Sequence, residues 1–380
     1  MDLIQYKCPN CGGPLKYDPK TGLHTCEYCR SSFTQEKMNE ITDSKEQAGD
    51  NSGPASYTYD DAASAGAAGV AGATTAGASG AGSVDDTVSG SKVYTCPSCG
   101  ATIVTDETTA ATFCYYCHNP VVLSGRLSGK DKPDYVIPFK ISREKALEIF
   151  ETWIQRKKYV PKAFYDKKQI EKFTGVYFPY LMYTCNVRGA VDGNATKIRV
   201  YNQGAYECTE TSHYHVVRDG DMKVGHVLRN ALKKANKVLA DGVLPFTYED
   251  EEMKPFNMSY LSGFFAEKRD IKSEEMQDEM RSEVKEYAVS QLQSSVAEYG
   301  NLKINENNIT VDSEKWEYAL MPVWTLTYND RGRIYYFSVN GQTGKTIGEL
   351  PVDKGKLIRT FLWIFIPVFL ALMALFYFVF

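Results

Sequence analysis

The sequence predicts a multi-domain chain: two small four-cysteine β ribbons, an α+β domain with an antiparallel sheet, and one C-terminal transmembrane helix. Three observations carry this. Eight of the ten cysteines fall into four CxxC pairs. Aromatic residues make up 13% of the chain, with 26 Tyr, and concentrate after residue 130, as expected of a β-rich region with large packed faces. The final 21 residues, from Thr360 onward, carry no charge.

The cysteine pairs are Cys8/Cys11, Cys26/Cys29, Cys96/Cys99 and Cys114/Cys117. CPNCGGPLKYDPKTGLHTCEYC (Cys8–Cys29) and CPSCGATIVTDETTAATFCYYC (Cys96–Cys117) align without gaps at an offset of 88 residues, each with 14 residues between the second and third cysteines. Two residues between cysteines allow a tight knuckle to present both sulfurs to one ion, and a 14-residue insert accommodates the hairpin that brings the second knuckle opposite the first. The expected ligand sets are Cys8, Cys11, Cys26 and Cys29, and Cys96, Cys99, Cys114 and Cys117, each closing a structural zinc site. Gly12 and Gly100 follow the second cysteine, where such turns need a positive φ. Ribbons of this size do not fold without their metal. Iron in a rubredoxin-like site uses the same ligands and stays open as an alternative. A redox CxxC would be single and placed at a helix start, and four thiolates leave no open position for catalytic zinc. His24 and His118, beside ligand cysteines, read as solvent-facing residues next to complete sets.

The expected boundaries are 1–36 for the first ribbon, 37–91 for a disordered Ala/Gly/Ser/Asp linker, 92–123 for the second ribbon, 132–352 for the α+β domain and 357–380 for the membrane helix. The linker has little to bury and too much glycine for a helix, so the first ribbon is expected to search space around the second. Within 132–352, Ser142 caps a helix running to Lys158. Strands are expected at Gly175–Val187, Lys197–Tyr201 and Ser212–Val217, with a short helix over His226–Leu239 and a longer one over Glu274–Tyr299. Tyr318–Tyr328 and Arg333–Asn340 form a closing meander, turning at Asn329–Gly332 and again at Asn340–Gly341.

Leu357–Phe380 reads LIRTFLWIFIPVFLALMALFYFVF, long and apolar enough to span a bilayer, with Pro367 tolerated inside. Lys354, Lys356 and Arg359 stand before its uncharged part and no charge follows, so the positive-inside rule places the soluble part in the cytoplasm. Paired cysteines without an N-terminal apolar signal point to the same reducing compartment.

Other chemistry is weakly signalled. GQTGKT (Gly341–Thr346) lacks the glycine of a phosphate loop, because Val339 stands in its place. His213, His215 and Cys208 are the residues from which a third metal site or a hydrolase would have to be built. No Ser-His-Asp order or nucleotide fingerprint emerges, and the chain reads as a non-enzyme. Residues 1–36 have no net charge and 92–123 carry −1, which argues against nucleic-acid binding by the ribbons. The basic stretch is 126–172, with 13 Lys/Arg against 7 Asp/Glu. It could serve nucleic acid or anionic lipid, and otherwise reads as a solvated helix face.

CPxCG…CxYC, FKISREKALEIFETWIQRKKYVPKAF, TGVYFPYLMY and YALMPVWTLTYNDRGRIYYFSVNGQTGK together resemble a bacterial family of TFIIB-type zinc-ribbon membrane proteins, often labelled primosomal-protein-N′-like. The resemblance covers most of the chain and departs from the family in its duplicated ribbon. It implies a cytoplasmic zinc-binding membrane protein that recruits protein partners to the lipid bilayer, in the manner of a membrane-stress (phage-shock-type) scaffold. The helicase part of the label has no support, since the motor motifs are missing.

Overall fold

The computed structural model describes residues 3–47 and 92–379, apart from 115, 116, 236, 250 and 331. Most of the expected linker, 48–91, lies outside the described residues. The first ribbon holds β1 (Leu3–Ile4), β2 (Leu15–Asp18), β3 (Leu23–Cys26) and β4 (Ser32–Phe33), followed by α1 (Gln35–Gln47). This helix occupies the beginning of the stretch expected to be disordered. Met38 explains it: the side chain is fully buried against Tyr6 and Leu15, and packing of this kind sustains a helix that composition alone does not.

The second ribbon holds β5 (Lys92–Thr95), β6 (Thr102–Thr105), β7 (Thr109–Phe113) and β8 (Pro120–Leu123). Next come β9 (Tyr135–Val136), α2 (Arg143–Gln155) and α3 (Lys167–Ile170). Ser142 caps α2 as expected, its Oγ accepting the Lys145 N–H, and Ala146, Phe150 and Ile154 are its buried face. Two very long strands follow, β10 (Thr174–Gln203) and β11 (Tyr206–Asn230), then α4 (Lys237–Gly242), β12 (Lys254–Pro255), β13 (Phe265–Glu267) and α5 (Ser273–Ser294). The chain closes with β14 (Gly300–Asp330), β15 (Arg333–Asn340), β16 (Thr346–Gly348) and α6 (Lys354–Val379).

The main sheet runs β1-β8-β7-β13-β10-β14-β15-β16, with β11 also on β10, β9 on β14 and β12 on β9. It is mixed rather than antiparallel, because β13 lies parallel to β10 and β9 parallel to β14. The reason is edge satisfaction. β11 begins to pair only at Tyr180, and β13 fills the edge of β10 left open at Val176 and Tyr177. Similarly, β15 reaches back only to Val323, and β9 fills the edge at Ala319 and Leu320.

The separate strands expected at 175–187 and 197–201 are one strand. Gly189 and Gly193 sit between them, but they mark close packing rather than a break. A Cβ at Gly193 would stand 2.6 Å from the Lys303 carbonyl oxygen, and one at Gly189 would stand 2.7 Å from Ile309 Cδ1. The helix expected over His226–Leu239 is also displaced. Residues to Asn230 stay in β11, where Leu228 pairs with Met182 and is buried, and the helix starts only at Lys237.

Strand alternation gives β10 two apolar faces at its base. Tyr177 and Leu181 enter a core with Phe139, Phe150, Phe173, Trp324 and Phe337 beneath α2, while Tyr180 and Met182 pack with Ala240, Val243 and Phe246 beside α4. Further out, Cys185 and Val187 lie under Met280, Val284 and Ala288 of α5. The result is a three-stranded arm of β11, β10 and β14, covered by α5 on one face. Arg281 fixes this helix: its Nε and a terminal nitrogen donate to Glu314 Oε1 at 2.8 and 2.6 Å, and the Tyr183 hydroxyl donates to Glu314 Oε2 at 2.9 Å.

Phe139 stacks on Phe264 with centroids 4.3 Å apart and also meets Tyr177 and Trp324. Phe139→Ala is expected to cost about 3–5 kcal/mol, read from the urea midpoint of the detergent-solubilised chain. Arg281 holds the Glu314 carboxyl below its usual range. A depressed folded pKa contributes stability above the ordinary carboxylate value, and that stability is lost as pH falls through the folded one. Hydrogen-exchange protection of α5 should therefore fall on acidification below about pH 4.5. Glu314→Gln should show the weaker protection already at neutral pH.

Candidate metal centres

All four CxxC turns share one backbone design. The N–H four residues after the first cysteine donates back to its carbonyl: Gly12 to Cys8 at 2.8 Å, Arg30 to Cys26 at 2.9 Å, Gly100 to Cys96 at 2.9 Å and His118 to Cys114 at 2.9 Å. Each first cysteine N–H in turn donates to the carbonyl five residues on, at Gly13, Ser31, Ala101 and Asn119. The fourth residue after each first cysteine is left-handed, with φ of 74° at Gly12, 61° at Arg30, 73° at Gly100 and 56° at His118. Gly12 and Gly100 are legible in the sequence at this place. Arg30 and His118 occupy the equivalent place in the second knuckles, where a non-glycine residue gives no sequence signal of its own.

Paired knuckles bring each quartet together. Every Sγ lies within 4.8 Å of the others in its group. Cys8 and Cys29 are 3.5 Å apart, Cys11 and Cys26 3.4 Å, and both Cys96–Cys117 and Cys99–Cys114 3.7 Å. Tetrahedral bonds of ~2.3 Å put sulfurs roughly 3.8 Å apart, so both groups can close around one ion. The first cysteine of each knuckle is buried, whereas Cys11, Cys29 and Cys99 are exposed. The Ser31 hydroxyl, 3.3 Å from Cys29 Sγ, and the Ser31 N–H lower that thiol to about 6, whereas against the Gly13 N–H the hydrogen bonds with Cys26 and Cys29 push Cys11 up to about 12.

Both ribbons are seated on the body. In the first, the Tyr17 N–H donates to the Ser262 carbonyl at 3.0 Å, Ser262 Oγ donates to the Leu15 carbonyl, and Gln35 Nε2 donates to Ser259 Oγ at 2.9 Å. Instead of facing solvent, His24 is fully buried between Tyr17 and Tyr260, and its Nε2 pairs with Gln35 Oε1 at 2.9 Å. Burial pushes its pKa down, against the pull of Gln35, so it sits neutral beside the site. His118 is exposed, as expected.

The second ribbon enters the main sheet: β7 pairs with β13 through Ala111 and Ala266, and β8 pairs with β1 of the first ribbon. Arg126 is buried, donates to the Thr109 carbonyl at 2.7 Å and to the Asp106 carbonyl, and lies over the Tyr94 ring. Lys234 bridges Asp106 at 2.7 Å and Glu267 at 3.0 Å. Burial raises the Asp106 carboxyl, but Lys234 and Thr109 outweigh it and hold the group at about 2. No sequence signal pointed to Lys234, which meets Asp106 only through the fold. The first ribbon is therefore not free to search space, and the expected division between 92–123 and 132–352 is crossed by a common sheet.

His213, His215 and Cys208 are not brought together. His215 Nε2 pairs with Asp192 at 3.0 Å, and strand alternation turns Cys208 to the opposite face from both histidines. Among the described residues, the two cysteine quartets are the groups that can hold a metal. Gly341–Thr346 is a hairpin turn, with Asn340 Oδ1 accepting the Gln342 and Thr343 N–H groups. Purified chain is expected to carry two metal equivalents by elemental analysis, and Cys99→Ser is expected to leave one.

Comparison with known proteins gives one informative match. No family model matches the chain, and no solved structure matches it. It is 31% identical over 370 residues to the uncharacterized protein YdjG of Bacillus subtilis (strain 168), covering 97% of this chain and 96% of that protein. At this identity over nearly all of both chains, the chain belongs to the YdjG family.

Proposed function

We propose that the protein is a zinc-stabilised, non-enzymatic adaptor, held on the cytoplasmic side of the cell membrane by α6 and presenting its arm to protein partners. The observation that carries this reading is the joining of both cysteine quartets to one sheet from which arm and apolar helix project. A four-thiolate site has no open position, so its contribution is folding free energy rather than chemistry. Thiolate ligands and the hairpin ribbons favour zinc over iron. The helix Lys354–Tyr377 is 24 residues long and none of its apolar window is buried in the protein. Lys354, Lys356 and Arg359 at its start favour a cytoplasmic body. Resemblance to TFIIB-type zinc-ribbon membrane proteins extends the same reading to a membrane-stress scaffold.

The arm supplies the contact surface. Beyond Thr196, where β14 begins to pair at Gly300, β10 and β11 continue alone as a hairpin, with Ile198, Val200 and Tyr206 exposed. A hairpin with apolar side chains in water gains by burying them in a partner. The nucleic-acid reading of 126–172 is weakened by use of its cations inside the fold. Arg126 is buried, Arg143 donates to the Ile170 and Phe173 carbonyls, and Lys140 and Lys145 pair with Glu252 and Glu148.

Crosslinking full-length protein in membranes and comparing it with Ile198→Ser/Val200→Ser/Tyr206→Ser tests the reading. Specific partners are expected to be lost while metal content and membrane retention stay unchanged. Identical partners from both proteins would rule out the arm, and salt-sensitive recovery of nucleic acid would favour the alternative.

A further inference from the structure

Where α6 leaves the body, the chain passes beside the loop after α2. The Asp353 N–H donates to the Tyr159 carbonyl at 2.7 Å, and Lys356 Nζ donates to the Val160 carbonyl at 2.7 Å. These bonds fix Tyr159 and Val160 at the level of the first turn of α6. Flanking them are Arg156, Lys157, Lys158 and Lys162, all exposed, and none makes an ion pair among the described residues. Lys157 lies over the Trp153 ring. Two nearby carboxylates are engaged at helix starts: Asp166 Oδ1 accepts the Gln169 N–H, and Asp353 Oδ1 accepts the Lys356 N–H.

From these contacts we infer that Arg156, Lys157, Lys158 and Lys162 form, with Lys354 and Arg359, a face that binds anionic phospholipid headgroups. The inference rests on reading α6 as a membrane span. Distance along the helix decides it. The uncharged segment begins at Thr360, and Asp353 lies seven residues earlier, about 10 Å along an α-helix. Headgroup layers extend roughly 5–8 Å beyond the hydrocarbon on each side. The loop pinned to Asp353 and Lys356 is therefore held at the outer edge of the headgroups. Its cations lie within a screening length of about 8 Å from anionic phosphates. Long, flexible side chains close the remaining gap without rearrangement of the fold. A cation in this position near an anionic surface changes association by about fivefold.

The test uses the full chain in phosphatidylcholine vesicles, with spin-labelled phosphatidylglycerol or phosphatidylcholine reporting the lipids immobilised at the protein surface. Wild-type protein should select phosphatidylglycerol. The variant Arg156→Gln/Lys157→Gln/Lys158→Gln/Lys162→Gln should lose at least the roughly fivefold selectivity of a single cation, while Lys157→Arg/Lys158→Arg/Lys162→Arg keeps it. Equal selectivity in the wild type and the glutamine variant, at equal metal content, would overturn the proposal. So would loss of wild-type selectivity on adding inorganic phosphate against chloride of the same ionic strength, which would assign the face to free phosphate. If neither labelled lipid is immobilised by any of the proteins, α6 does not insert, and the span and this face fail together. Immobilisation without selectivity leaves the span standing and overturns the face alone.

Discussion

From Tyr180 to Thr196 the backbone of β10 holds hydrogen-bond partners on both edges, β11 on one side and β14 on the other, and β13 extends the first side at Val176 and Tyr177. A buried row of N–H and C=O groups cannot be left unpaired, because each loses water without replacement. The short strands β13 and β9 are placed by this demand, filling edges that the longer strands do not reach. Through β13 the ladder continues into β7, β8 and β1, and so into both ribbons. Through β14 it continues into β15 and β16, whose end leads into the exit of α6. Metal centres, arm and apolar helix are thus joined by one run of main-chain bonds.

The ribbons add a second constraint. Each has little apolar surface of its own, so a bound ion and seating on the body would reinforce each other. Tyr17 and His24 lie at the seat of the first ribbon and within three residues of Cys26 or on its paired strand. Loss of the ion would loosen β2 and β3 and uncover aromatic surface that belongs to the core. In the second ribbon, Arg126 and Lys234 tie the hairpin to the sheet through charge-assisted bonds, and the apolar pairing of β7 with β13 sets the register.

The arm shows how one strand serves opposite demands. Near its base β10 is apolar on both faces and sits between α2 and α4. Further out it keeps an apolar face only under α5, and its other face carries Arg188, Asp192 and Asn194. Past Thr196 the third strand is gone. This graded loss of cover moves from buried core to exposed hairpin without a change of secondary structure.

Local chemistry was legible in the sequence. CxxC spacing is a short-range property, so the eight cysteines, the knuckle glycines and their pairing into quartets could be read directly, as could the Ser142 cap, the Arg333–Asn340 strand and the apolar C-terminal helix. Nonlocal pairing was not legible. Gly189 and Gly193 read as punctuation, although their lack of a Cβ lets Ile309 and Lys303 approach. The burial of His24 depends on Tyr260, and the Lys234–Asp106 bridge joins residues 128 apart. By itself the sequence determined which atoms can bind metal and which segment can enter a bilayer, because spacing and hydropathy act within a few turns of chain. Tertiary structure decided that the ribbons are seated rather than free and that cations after α2 lie beside the start of α6, because those relations exist only once distant backbone edges have been paired.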